Sequence, residues 1–152
     1  MQPEIKDLNF IETLNDRLIR KDPVLDLSYD RMGDAGIIFL CRNKDLSDIQ
    51  KLDLSWNEIT DAGLAVLVGT GPLPKLRHLV LNANQIGDEG AKSLALSKNL
   101  PNLETVELVS NQVGDFGALS LVKSQSLLSL WFIDLEMNKV GQKKLTRFPD
   151  GA

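Results

Sequence analysis

Cysteine and histidine each occur once in the 152 residues, as Cys41 and His78. One cysteine rules out an internal disulfide. One cysteine and one histidine cannot assemble a zinc site of the usual four ligands, and no metal is expected. Basic residues are not in excess: 17 Lys and Arg stand against 21 Asp and Glu, a formal net charge of −4. A nucleic-acid partner would call for a basic stripe, so none is expected. No apolar run approaches the roughly 20 residues of a membrane-spanning helix, and no membrane association is expected. The first residues, Met1 to Asp7, lack the basic-then-apolar layout of a secretory signal. The sequence has no N-x-S/T acceptor and no phosphate-cradling loop: Gly69-Thr70-Gly71 runs into Pro72, not into a helix opened by Lys-Ser. No cofactor is expected. These absences suit a leaderless cytoplasmic chain. A leaderless secreted protein, such as an injected effector, would have the same composition.

What is present is a repeat. Leu52 to Gly63 reads L-x-L-x-x-N-x-I-x-D-x-G, and Leu79–Gly90 and Val106–Gly117 carry the same pattern. Leu25–Gly36 is a looser copy with Asp30 in place of asparagine, and Ile133–Lys144 a worn copy that keeps Asn138. Positions 30, 57, 84, 111 and 138 are each 27 residues apart. A strict period of this length is the signature of a solenoid.

Each unit can be parsed physically. Two apolar residues one position apart, as in Leu52/Leu54, make a short strand with alternate residues inward. The buried asparagine three residues on can satisfy backbone groups left by the turn. Ile59, Ile86 and Val113 fill the layer beneath. Asp34, Asp61, Asp88 and Asp115 fall at helix starts, where negative charge is favoured. Gly36, Gly63, Gly90 and Gly117 follow in the first helical turn. Glycine there costs about 1 kcal/mol of helix propensity, and its recurrence implies a close approach of helix to strand layer. Leu40, Leu67, Leu94 and Leu121 are helical core, and Cys41 falls on a core column beside them.

The ends depart from the repeat. Over residues 3–20, Ile5, Leu8, Ile11, Leu14 and Leu18 recur at helical spacing, as expected of an N-terminal capping helix. Gln142 and Lys144 replace the aspartate and glycine of the fifth unit, and Phe148 stands for leucine. Residues 130–152 are therefore read as a partial repeat and C-terminal cap. With four repeats over 22–130 between the caps, the whole chain, 1–152, is read as one domain.

These units resemble leucine-rich repeats of the ribonuclease-inhibitor-like subclass, over about residues 22–148. The resemblance implies an α/β fold: a right-handed horseshoe segment of about five repeats, parallel sheet on the concave face and helices on the convex face. It also implies a non-enzymatic module that binds other proteins through the concave sheet. Some family members act as activators of the Ran GTPase, which makes regulation of a small GTPase the alternative. No stretch here matches their functional residues.

The outward strand positions are the candidate site. One column holds Val24, Lys51, His78, Thr105 and Phe132. The next holds Asp26, Asp53, Val80, Glu107 and Asp134, four of five acidic. Beyond the turn Tyr29 and Trp56 lie side by side, followed one column on by Arg31, Glu58 and Gln85. Parallel strands lie about 4.8 Å apart, so Asp26 and Asp53 should be neighbours. Their mutual repulsion is about 1 kcal/mol at such a distance even in water. That is compatible with a merely solvated face, or with a patch for a partner with a basic surface anchored by Tyr29 and Trp56. The partner-binding set is thus Asp26, Tyr29, Asp53, Trp56, His78, Glu107, Phe132 and Asp134. A face only about 20 Å across is smaller than the roughly 800 Å² per partner of a standard interface. Trp131-Phe132-Ile133 at the last strand offers an edge for a homodimer or an assembly role. A His78–Asp53–Ser55 triad is not expected, because adjacent columns of a flat sheet do not bring base and nucleophile together.

Overall fold

The computed structural model describes residues 8–20 and 22–141. Helix α1 (Leu8–Ile19) precedes five units: β1 (Val24–Asp26), α2 (Gly33–Asn43), β2 (Lys51–Asp53), α3 (Asp61–Gly69), β3 (His78–Val80), α4 (Asp88–Leu96), β4 (Thr105–Glu107), α5 (Asp115–Val122) and β5 (Phe132–Asp134). All strand pairs are parallel, in the order β1-β2-β3-β4-β5. The register is offset by 27 at every step: Leu25, Leu52, Leu79, Val106 and Ile133 stand side by side. The sequence repeat is therefore the spatial repeat. Each helix packs on the next, α2 on α3, α3 on α4 and α4 on α5. The result is a two-layer α/β leucine-rich-repeat solenoid.

The inward strand residues Leu25, Leu27, Leu52, Leu54, Leu79, Leu81, Val106 and Leu108 are buried, as are Leu40, Leu67, Leu94 and Leu121 on the helices. Met32, Ile59, Ile86 and Val113 close the layer between. In α1, Phe10 and Leu14 are buried in the same core, with Ile11 and Leu18 packed against it. Helical periodicity picked out Ile11, Leu14 and Leu18 but missed Phe10. Residues 3–7 of the expected capping helix, and Gln142, Lys144 and Phe148 of the expected C-terminal cap, lie outside the described residues.

The asparagines form the central ladder. Asn57 donates to the carbonyls of Leu54 (3.1 Å) and Ser55 (3.2 Å) in its own turn and of Leu27 (2.7 Å) in the preceding repeat. Its Oδ1 accepts the Met32 N–H. Asn84 repeats this with Leu81, Asn82 and Leu54, and Asn111 with Leu108, Val109 and Leu81. Asn57, Asn84 and Asn111 are all buried.

The aspartates make a second ladder that the spacing alone does not reveal. They do sit in the first turns of their helices, but each also reaches forward one repeat. Asp34 accepts the Thr60 N–H (2.8 Å), Asp61 that of Gly87 (2.6 Å), Asp88 that of Gly114 (2.7 Å) and Asp115 that of Gly141 (2.7 Å). This explains the first-turn glycines differently from the sequence reading. At Gly63, Gly90 and Gly117 the tightest approach is to the aspartate of the preceding helix, whereas at Gly36 it is to the Met32 side chain. A Cβ on Gly90 would lie 2.5 Å from Asp61 Oδ1 and 3.2 Å from Asp61 Cα, and one on Gly117 would lie 2.6 Å from Asp88 Oδ1.

Two stability outcomes follow from these ladders. Gly90→Ala should cost about 2 kcal/mol in urea unfolding, because the clash includes backbone. Gly69→Ala, with nothing within 4 Å of its added Cβ, should be neutral or stabilise by up to about 1 kcal/mol. Equal effects would refute the packing role. Asn57→Ala, which strands a buried N–H and buried carbonyls, should cost about 3 kcal/mol. Asn138→Ala, on the half-buried last rung, should cost about 1 kcal/mol; a reversed order would count against the ladder.

Candidate functional site

The turn after each strand sets the site. Tyr29, Trp56, Ala83, Ser110 and Met137 each precede the asparagine position, and each has positive φ, between 53° and 63°. The N–H groups of the first four are held by the next repeat, as with Tyr29 to Ser55 O (3.0 Å) and Trp56 to Asn82 O (2.9 Å). A left-handed residue other than glycine costs about 1–2 kcal/mol. Glycine would be cheaper at all five positions, yet two of them carry large rings.

Those rings contribute nothing to the core. Tyr29 is 69% exposed and Trp56 54%. They stack face to face, with centroids 5.5 Å apart and planes within 10°. That separation is close to the spacing of parallel strands, about 4.8 Å, so the stack runs along the row from β1 toward β3. The row then drops to Ala83. A shallow recess follows it, lined by Tyr29, Trp56, Ala83 and Asn84 together with Arg31, Glu58 and Gln85 of the column after the asparagine.

The acidic column lies beside this row, and Asp26 and Asp53 are direct register partners, as are Glu107 and Asp134. Each aspartate also has a local task. Asp26 Oδ1 accepts from the Ser28 N–H (2.9 Å) and hydroxyl (2.7 Å); Asp53 does the same with Ser55. Asp134 Oδ1 accepts the Glu136 N–H, and Glu107 Oε2 the amide of Asn82. One oxygen of each aspartate thus shapes the turn, and the acidity of the column is partly structural. Ser55 is buried although its hydroxyl bonds to Asp53 of the outward column. The Ser28 hydroxyl and N–H hold the Asp26 carboxyl below the usual carboxylate range, with smaller help from the charges of Arg17 and Lys51.

The remaining sequence candidates fall elsewhere. His78 is half-buried, with Nδ1 2.9 Å from Thr105 Oγ1. Ser55 Oγ is bonded to Asp53 and not to His78, so the three do not form a relay. Phe132 is 41% exposed on β5, its ring tilted against Trp131, well away from the stacked pair. Cys41 is half-buried, less enclosed than its column suggests. Burial still pushes its thiol up, against a smaller opposing hydrogen bond from Thr70. Among the described residues no group of three or more His, Cys, Asp or Glu is placed to hold a metal ion, and no helix is long and apolar enough to cross a membrane. The recess itself, with Arg31 and Glu58 on its rim, was missed as a site. The signal was the small Ala83 following two aromatics in one column.

The parallel strands, outer helices and asparagine ladder define a repeat solenoid with a side-chain-bearing strand face. The family model for the leucine-rich repeat matches residues 46–68, 73–95 and 99–122, which are the second, third and fourth units. These three consecutive units are leucine-rich repeats, a kind of repeat that generally mediates protein–protein interaction. No curated protein matches the chain.

The Asp26 geometry gives a pH prediction. Its folded value lies below the unfolded one, so the Ser28 bonds stabilise the fold above the ordinary carboxylate range. That contribution is lost as pH falls through the depressed value. Ser28→Ala should raise the Asp26 midpoint seen by carboxyl NMR titration; an unchanged midpoint would refute the assignment.

Proposed function

We propose that this protein is a non-catalytic binding module that recognises a protein partner with a basic surface through its outward strand face. The observation that carries this reading is the stacked, exposed Tyr29–Trp56 pair. It sits in left-handed turns that glycine would occupy at lower cost, directly beside the Asp26–Asp53 pair. Strained positions kept by large exposed residues point to function more than to folding. Aromatic anchors next to charge are the usual makings of an interface hot spot. Asp53 and Glu107 on the same face supply acidity for partner Lys or Arg side chains. The ribonuclease-inhibitor-like subclass is the form of leucine-rich repeat that the 27-residue period fits.

The test is to remove charge without removing turns. Asp26→Asn, Asp53→Asn, Glu107→Gln and Asp134→Asn keep acceptors for the Ser28, Ser55 and Glu136 N–H groups, whereas lysines would break them. Cross-linked capture from native lysate should lose its partner, by about tenfold or more, when bait carrying the four neutral substitutions replaces wild type. Retained capture by the folded variant would overturn the face reading. The apolar edge at β5, where Trp131 and Met137 are exposed and Ile133 and Leu135 only half-buried, would then be the surface in use.

A further inference from the structure

Resting on the strand-face reading above, we infer that the recess between Trp56 and Ala83 is an arginine-selective subsite that receives a guanidinium from the partner. Three observations converge on it. Tyr29 covers the face of Trp56 toward β1, with the two planes within 10° of parallel. The opposite face looks along the row to Ala83, whose methyl group is too short to cover it, and Trp56 is 54% exposed. A flat group laid there would continue the stack at the next strand's level. Glu58 and Gln85 line the same recess, and Glu58 takes part in none of the salt bridges among the described residues.

These features select among flat groups. A guanidinium is planar, remains charged, stacks on an indole face and offers a fork of N–H donors to a carboxylate. An ammonium can satisfy Glu58 but has no plane to lay on Trp56. A neutral aromatic ring can stack but leaves Glu58 facing an apolar edge. Arg31, at the β1 end of the same recess, repels a second cation there. The subsite therefore takes one arginine at the Ala83 end. The acidic column attracts any basic segment, and the recess discriminates among them.

That division separates the two claims experimentally. The probes are two twelve-residue peptides with four cations each, spaced by glycine and serine, one all arginine and one all lysine. Calorimetry gives each affinity, and the indole N–H resonance of Trp56, one of two tryptophans, reports the contact. The expected result is binding of both peptides, the arginine peptide about five- to tenfold tighter, with the larger Trp56 shift. Ala83→Phe places a ring in a row whose backbone conformation Tyr29 and Trp56 already adopt. It should bring the two affinities together, weakening the arginine peptide more than the lysine peptide. Glu58→Gln should also narrow the gap. Equal affinities in the wild type, or an arginine preference that survives in folded Ala83→Phe, would overturn the subsite while leaving the acidic face intact. Failure of both peptides to bind would overturn the subsite and the basic-partner reading together.

Discussion

Each buried asparagine divides its amide between two repeats, and the rest of the fold depends on that division. The donor nitrogen of Asn84 reaches Leu81 and Asn82 in its own turn and Leu54 one repeat back, while its oxygen takes the N–H groups of Asn57 and Ile59. A three-residue strand is too short to hold its own turn. The ladder supplies the missing partners, and it can do so only if the next unit is present in register. Stability in such a molecule belongs to the contacts between units as much as to the units. The forward-reaching aspartates strengthen the same coupling on the helical side. They also explain the glycines: a carboxylate that must touch the next helix start leaves no room for a Cβ there.

The first repeat shows what happens where the ladder has no predecessor. Asp30 replaces the asparagine, and it accepts from the Arg17 guanidinium of α1, which also donates to the Asp26 carbonyl. The amide's donor role passes to an arginine from outside the repeat. The substitution that looked like a loose copy in the sequence is thus a fitted junction, and it leaves Arg17 close enough to Asp26 to help keep that carboxyl ionised.

The same constraint creates the binding face. Because the ladder holds the residue before each asparagine in a left-handed conformation, its side chain is carried outward on a rigid turn. Five such positions form a row, and the side chains in them are free of packing duties. Two adjacent rings in that row stack at the repeat spacing, and a small residue next in line leaves the stack open. The acidic column is a more mixed feature. Its aspartates close turns with one oxygen, so their repetition has a folding reason, and only their surplus charge is available to a partner.

Much of the architecture was legible in the residues. A 27-residue period sets the number of units, the inward leucines and the in-register parallel strands, since repeating units that bury one face in common have few other ways to stack. The outward columns containing Asp26, Asp53, Tyr29 and Trp56 could be read from alternation. Contacts between neighbouring units could not. Periodicity says which positions are equivalent but not which atoms of one unit touch those of the next, so the aspartate ladder and the true neighbour of the glycines emerged only in three dimensions. Nor could the sequence show that Arg17 serves Asp30, or that Ala83 leaves one side of the aromatic stack uncovered. Those depend on distances of a few ångströms between residues roughly one repeat or half a repeat apart, and only the folded chain decides them.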